Sequence, residues 1–366
     1  MALTLRPTVA EIRLSAVRRN LQKLAKTAAP ARLLFVVKAN AYGHGAVELA
    51  RLAEAEGLAW GFGVSCVEEG LALRAAGVKS PVLVLGSLYP FESFVEAINA
   101  GLIITIASLD AARQVREAAG KLGREAVCHI KLETGMGRIG ARKPSVLKIY
   151  DELASSPGVK VGGLYTHLSS ADSDPEYTGA QLAIFSETAA ELELRGARGL
   201  TLHTANSCAT MNYPVSRLDM VRCGIAAYGQ ADGFEPAMTL KTRIVFIKNV
   251  REGACISYNK SFRADRAMKI ATIPAGYGDG YIRRFSNRAD VLIGGKRCRV
   301  LGNVTMDMTM VDVTGVKDAA VGAEAVLLGR QGAEEVTARE LADIAGTINY
   351  EIVTLVTPRV PRIYTP

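Results

Sequence analysis

The chain contains no apolar run near the roughly 20 residues that a membrane span requires, although 49% of its 366 residues are hydrophobic. Its opening stretch, Met1 to Glu11, lacks the charged n-region, apolar segment and cleavage site of a secretory leader. These absences point to a soluble, cytoplasmic protein with no membrane partner. Six cysteines (Cys66, Cys128, Cys208, Cys223, Cys255 and Cys298) are scattered without a CxxC pair. That argues against a zinc framework or disulfide scaffold and for reduced thiols, with no metal. The net charge is +8, but 44 basic residues are interleaved with 36 acidic ones. No basic stripe with interspersed aromatics forms, so nucleic acid is not an expected partner. No GxGxxG follows the first apolar strand, which counts against an open dinucleotide-binding sheet.

From about residue 31 to 230, short β-branched runs alternate with amphipathic segments. The spacing predicts strands at Leu33–Lys38, Leu58–Val64, Val82–Gly86, Leu102–Ala107, Ala126–Glu133, Val159–His167, Leu200–Thr204 and Met220–Ala226. Helical patterns precede and separate them, among them Ser15–Lys26, Ala46–Ala55, Ser65–Ala76, Ala111–Leu122, Pro144–Ser155 and Ala180–Arg195. Alternation of this kind predicts parallel strands joined by crossover helices, and eight of them in about 200 residues fit a closed (β/α)8 TIM-type barrel. The barrel demands that chemistry-bearing residues follow strand C-termini. Lys38, Lys131, Arg138, His167, Asn206, Ser207, Arg222 and Gly224 do so.

Beyond about Phe234 the pattern changes to strands separated by Gly-containing turns, at Val245–Val250, Lys269–Ile273, Ala289–Ile293, Lys296–Leu301, Met308–Val313 and Ala325–Leu328. One good helix is expected, Thr337–Ala345, with Thr337 as N-cap and Glu340 three residues later. The fold class is therefore α/β: an N-terminal barrel followed by a C-terminal mainly-β domain. Expected boundaries are 1–10 for an N-terminal strand packing with the C-terminal domain, 11–233 for the barrel, and 234–366 for the β-rich domain. The first strand is expected at Leu3–Ala10, an edge strand because Pro7 lies within it.

Lys38 ends an apolar run, Leu33 to Val37. Most such lysines snorkel to solvent, but desolvation lowers an amine's pKa, and a neutral amine can form a Schiff base with an aldehyde. The segments His203–Ser207 and Arg222–Ile225 follow barrel strands seven and eight, where barrels commonly hold phosphate through backbone N–H groups and hydroxyls. Ser207, Gly224 and Ile225 are candidate donors, with Tyr42 adding a phenol. Asn206-Ser207 alone is more often a turn or helix cap. A phosphate pocket facing a strand-end lysine suits pyridoxal 5′-phosphate. Arg222, between Val221 and Cys223, would keep the pyridine nitrogen unprotonated and favour simple proton removal and return at Cα.

Nine segments in register carry a resemblance over nearly the whole chain. They are Val37–Gly45, Thr134–Gly140, Thr166–Leu168, His203–Ser207, Val221–Tyr228, Ile256–Tyr258, Ile273–Gly280, Gly302–Asp307 and Arg359–Arg362. On them the chain resembles the alanine racemases, pyridoxal-phosphate enzymes of fold type III. The resemblance implies interconversion of L- and D-alanine, the latter used for peptidoglycan, by two acid/base groups on opposite faces of Cα. Lys38, freed from its Schiff base by substrate, would be one and Tyr258 the other. It also implies a homodimer in which the β domain of one subunit covers the barrel mouth of the other. Arg138 and the Met306 backbone N–H would receive the substrate carboxylate, with Asp307 orienting that loop. His167 and Arg222 would lie near the phenol, and His203 would buttress Arg222. Tyr277 would line the access channel; Tyr281 is as readily a packing residue.

In the family the position of Lys131 is often carbamylated, giving an anion that anchors Arg138; an ordinary ion pair with Glu133 or another carboxylate is the alternative. Two departures stand out. Pro358 replaces a tyrosine that some members place before Arg-Val-Pro-Arg, and Asn303 replaces an arginine of the access channel. A less occluded pocket of this kind is expected to admit serine. Two other readings are weaker. Fold-type III decarboxylases place an acidic residue at the pyridine nitrogen, where Arg222 stands here, and a bare cofactor-carrying barrel would lack the β domain.

Overall fold

The computed structural model describes residues 5–366. Leu3 and Thr4, the first residues of the expected N-terminal strand, lie outside that range. Contacts divide the chain into two compact units. One comprises Arg18–Ala41 and Ala46–Ala227; the other comprises residues up to Val17, Tyr42–Gly45 and Tyr228–Pro366.

Strand β1 is Val9–Arg13. The first-named unit then supplies β2 (Arg32–Val36), β3 (Gly61–Val64), β4 (Val82–Val84), β5 (Ile103–Ile106), β6 (Ala126–Lys131), β7 (Val159–Tyr165), β8 (Thr201–His203) and β9 (Met220–Cys223). Each pairs in parallel with the next from β2 to β8, and β9 returns to pair with β2, Arg222 opposite Leu34. The ring closes where Arg222 N donates to the Ala205 carbonyl and Asp219 N to that of Leu202. This is a (β/α)8 barrel. Strands β3, β4, β5 and β9 are buried along their whole length, and β4 and β5 accordingly read as near-continuous apolar runs rather than alternations. Leu34, Leu83, Ile103 and Met220 form one layer of the interior, with Trp60, Leu85 and Val127 against it.

Two of the crossover helices show clear end signals. Leu109–Leu122 begins at Ser108, whose hydroxyl accepts from Ala111 N, and ends at Gly123 in a left-handed conformation. Pro175–Leu194 starts on Asp174, which caps Tyr177 N, with proline in the first turn.

In the second unit β1 lies between the strands Met238–Arg243, antiparallel, and Arg362–Thr365, parallel. Among the described residues the strand begins at Val9, after Pro7, which has no N–H to donate to a ladder. The same sheet continues through Glu324–Gln331, Asp290–Ile293 and Lys296–Arg299. Phe246–Val250, Met268–Ile273 and Thr309–Asp312 form a separate three-stranded sheet. Ile256, Ala264, Met268, Ile270 and Leu301 make up a local core. The expected helix is Ala338–Ala345, with Thr337 accepting from Glu340 N, and a second short helix, Asn349–Thr354, follows it. Among the described residues no helix is long and apolar enough to cross a membrane.

Candidate active site

Lys38 follows β2 directly, and the backbone beyond it takes an unusual course. Ala39, Asn40, Ala41 and Tyr42 all adopt left-handed helical angles, with φ from 51° to 55°. L-residues pay about 1–2 kcal/mol each for this conformation, and such strain persists only where surroundings over-determine it. Here Ala39 N donates to Glu69 Oε1 (2.6 Å), Ala41 N to the Val37 carbonyl (2.7 Å), and Ala46 N to Asn40 Oδ1 (2.9 Å). Sequence reasoning expected a Gly-rich turn and missed both the left-handed run and Glu69. Non-glycine residues carry no signature for that conformation, and an acidic residue in a helix's first turn reads as a dipole partner.

Four cations surround the mouth of the barrel. Lys38 is half-buried, and desolvation, then the charge of Arg138, lowers its pKa against a smaller opposing effect of Glu69. Lys131 is buried; desolvation, then Arg222 and Arg138, brings it down to about 7. Glu133 turns its carboxylate to the N–H groups of Gly135 (2.5 Å) and Gly137 (3.0 Å). Among the described residues, therefore, Lys38, Lys131, Arg138 and Arg222 make no ion pair. Burial and these same four cations push His167 down to about 3, so its imidazole is neutral.

Arg222 is 4% exposed. Its Nη1 donates to the His203 carbonyl (2.9 Å) and to His203 Nδ1 (3.1 Å), and its Nη2 to the carbonyls of Thr166 (2.6 Å) and Thr204 (3.0 Å). A guanidinium has five N–H donors. Four are used, and among the described residues the Nε–H makes no hydrogen bond. His203 stacks on Tyr165, ring centres 4.7 Å apart.

Beside them, Asn206 caps the helix Ser207–Asn212 through Ala209 N (3.0 Å) and donates to the Leu168 carbonyl (3.3 Å). Ser207 Oγ accepts from Gly224 N (3.1 Å), joining the two loops in which phosphate donors were expected. Ile225 and Ser207 open short helical turns, where leading N–H groups have no intrahelical acceptor.

The remaining candidates belong to the second unit. Tyr42 packs against Tyr228 and Tyr350. Tyr258, Tyr277, Met306 and Asp307 are exposed on three neighbouring loops. Tyr277 N and Gly278 N donate to the carbonyls of Thr305 and Met306 (3.0 and 2.9 Å), and Asn303 Nδ2 to that of Tyr258 (2.9 Å). At Gly276 a Cβ would fall 2.2 Å from the Thr305 oxygen, so only glycine permits this approach. Asp307 pairs with Arg359 (2.7 Å), which also binds the buried Asp279. Tyr281 is 1% exposed and packs on Phe285, so it is a core residue and lines no channel.

Residues 12–232 match the profile of the alanine racemase N-terminal domain, and 237–364 that of the C-terminal domain. The chain is 45% identical to the alanine racemase of Symbiobacterium thermophilum, covering 98% of this chain and 97% of that one. It is 39% identical to an alanine racemase of Clostridium perfringens, covering 100% and 97%. Among solved structures it matches alanine racemase from Clostridium difficile 630 with a TM-score of 0.93 at 36% identity, covering 99% and 96% of the two chains. Alanine racemase from Bacillus anthracis with bound L-Ala-P also matches at 0.93, with 34% identity and coverage of 100% and 96%. The chain belongs to the alanine racemase family.

Proposed function

We propose that the protein interconverts L- and D-alanine with pyridoxal 5′-phosphate as cofactor, Lys38 and Tyr258 serving as the two bases. The observation that carries this reading is the pairing of a depressed Lys38 amine with a buried Arg222 whose one unspent donor is Nε–H. The donor set fits the cofactor. Four cations without carboxylate partners suit a phosphate and a carboxylate, and the two loops joined by the Gly224 N–H to Ser207 Oγ bond would offer the phosphate the Ser207 hydroxyl and the leading N–H groups of Ser207 and Ile225. When bound, pyridoxal 5′-phosphate supplies an aldehyde that captures amines and a conjugated ring that acidifies the hydrogen on Cα.

Lys38 has the properties its first duty needs, because an amine must be neutral to attack an aldehyde. Its Nζ would also accept or return the proton on one face of the substrate Cα, and the Tyr258 phenol oxygen would serve the other. Arg222, a cation at neutral pH, would face the cofactor's ring nitrogen through its Nε–H and disfavour protonation there. Neutral His167 adds no charge to a mouth already rich in it. Arg138 and the Met306 N–H receive the substrate carboxylate, with Asp307, pinned by Arg359, fixing the loop. Exposure of Tyr258, Tyr277 and Met306 in the single chain supports a homodimer in which each barrel mouth takes these groups from the other subunit. A role in supplying D-alanine for peptidoglycan follows from the product.

The test uses purified protein, which should be yellow and should equilibrate the alanine enantiomers. Lys38→Ala should lose the colour; Tyr258→Phe should keep it and lose turnover. Full racemisation by Tyr258→Phe removes the two-base assignment.

A further inference from the structure

His129 was not among the residues singled out from sequence, and nothing in the reaction above uses it. It is 3% exposed, on β6, two residues before Lys131 and therefore on the same face of the strand. Its Nδ1 lies 2.9 Å from Nε2 of His203, whose own Nδ1 lies 3.1 Å from Arg222 Nη1. Three buried side chains thus form one line, Arg222–His203–His129.

We infer that His129 is a positioning residue for Arg222: it holds His203 as the Nε2–H tautomer, leaving a bare Nδ1 that receives the guanidinium and fixes the direction of its free Nε–H. The inference rests on the proposed role of Arg222 toward the ring nitrogen. Its logic begins with the arginine, which can only donate. The His203 Nδ1 facing it must be an acceptor, so a neutral His203 carries its hydrogen on Nε2. That hydrogen points at His129 Nδ1, which must then be bare as well, placing the hydrogen of His129 on Nε2. A protonated His203 would set an N–H against the guanidinium. Burial and the charges of Arg222 and Arg32 hold both rings neutral.

The backbone is shaped to admit this imidazole. The β6–β7 register shifts between Cys128 and His129. The neighbouring residue is Gly163, where a Cβ would stand 2.7 Å from His129 Nδ1. On its other side His203 is clamped by Tyr165, stacked within 8° of parallel and itself hydrogen-bonded to Thr105 Oγ1 (2.7 Å). With ring planes fixed, the position of the hydrogen is the remaining degree of freedom, and His129 reinforces from the Nε2 side the choice that Arg222 favours from the Nδ1 side.

The chain has four histidines, His44, His129, His167 and His203, so histidine-selective 15N labelling of the full chain gives a countable spectrum with or without cofactor. Nitrogen shifts separate N–H from bare nitrogen, and His203 is expected to show a bare Nδ1 and Nε2–H over roughly pH 6–8. His129→Asn keeps a polar atom where Nδ1 stands; His129→Leu does not. His129→Asn should preserve the His203 pattern, while His129→Leu should mix its tautomers and lower kcat about tenfold with KM for alanine unchanged. A wild-type His203 protonated at Nδ1 overturns the inference, as does a His129→Leu enzyme with unaltered His203 nitrogens. If His129→Leu does not fold, the wild-type and His129→Asn spectra still decide. The expected nitrogen pattern in a chain that never turns over alanine would instead support the relay and overturn the proposed function.

Discussion

The ammonium nitrogen of Lys131 lies 5.3 Å from the centre of the Tyr165 ring. It has no carboxylate within ion-pair distance among the described residues. A cation–π contact compensates only part of burying a charge, and Lys131 falls to about 7 through desolvation and the neighbouring Arg222 and Arg138. The ion pair with Glu133, the alternative weighed from sequence, does not form, because that carboxylate is bound to backbone N–H groups of the Gly135–Gly137 turn.

A substantial neutral fraction at neutral pH makes Lys131 a nucleophile toward carbon dioxide. Its Nζ would bond to the carbon and release one proton to solvent, leaving an anionic carbamate between Arg138 and Arg222. The full chain in 13C-bicarbonate should show a carbamate resonance that Lys131→Met lacks. That variant should raise KM for alanine about tenfold, through loss of an anchored Arg138. An unmodified Lys131 together with an unchanged KM would refute this.

Stability should decline on the acid side of neutrality because of buried neutral histidines. His129 sits at about 4 and His167 at about 3, against an ordinary 6.5, and His203 lies well below 6.5 too, burial being the leading cause in each. Below 6.5 the unfolded chain binds more protons than the folded one, so stability is fully present above that value. It is lost as pH falls toward the folded-state values. One pH unit below its unfolded value, each histidine has lost about 1.4 kcal/mol relative to its full contribution at higher pH. Urea unfolding near pH 7.5 and near pH 5.5 reads this directly, and identical midpoints would contradict it.

The barrel was legible where its strands are buried along their whole length. Val82–Val84 and Ile103–Ile106 lie inside expected runs that differ from them only at the ends. Lys38, Arg222 and His203 were legible because polar groups at the ends of apolar strands have few structural excuses. His129 was not, since one histidine in Ala-Val-Cys-His-Ile-Lys reads as a core residue until its partner 74 positions away is known. Glu69 and the left-handed run escaped for the same reason: the groups that stabilise them come from other segments. Tyr281 had two readings open, and only its burial decides between them.

Asp279 illustrates this dependence on distant partners and carries a prediction of its own. Its carboxylate is fully buried and accepts from Arg6, 273 residues away, from Arg359 Nε (2.9 Å) and from Gly276 N (3.0 Å). Burial alone would raise its pKa, but the bonds from Arg6 and Arg359 outweigh that and hold the carboxyl below its ordinary range. Asp279→Ala leaves two guanidiniums facing an empty site and should cost about 3–5 kcal/mol in urea unfolding. A loss under about 1 kcal/mol would mean that the arginines find other partners.

Serine differs from alanine by one hydroxyl, and pockets that are merely apolar reject an added hydroxyl weakly, by about 10²-fold. By the resemblance, two positions in this chain would relax the pocket. Pro358 stands where some members carry a tyrosine, and Asn303 where some carry an arginine. Asn303 places an uncharged amide near Tyr258, its Nδ2 donating to the Tyr258 carbonyl while the Asn303 backbone carbonyl accepts from Ser257 Oγ (2.8 Å). Racemisation of serine is therefore expected at a kcat/KM about 10²-fold below that for alanine. Pro358→Tyr should lower the serine rate more than the alanine rate, because a phenol at this position narrows the space the hydroxyl needs. Serine turnover no higher than background in the purified enzyme removes the idea. Equal loss on both substrates in Pro358→Tyr would place the effect on cofactor retention rather than on substrate size.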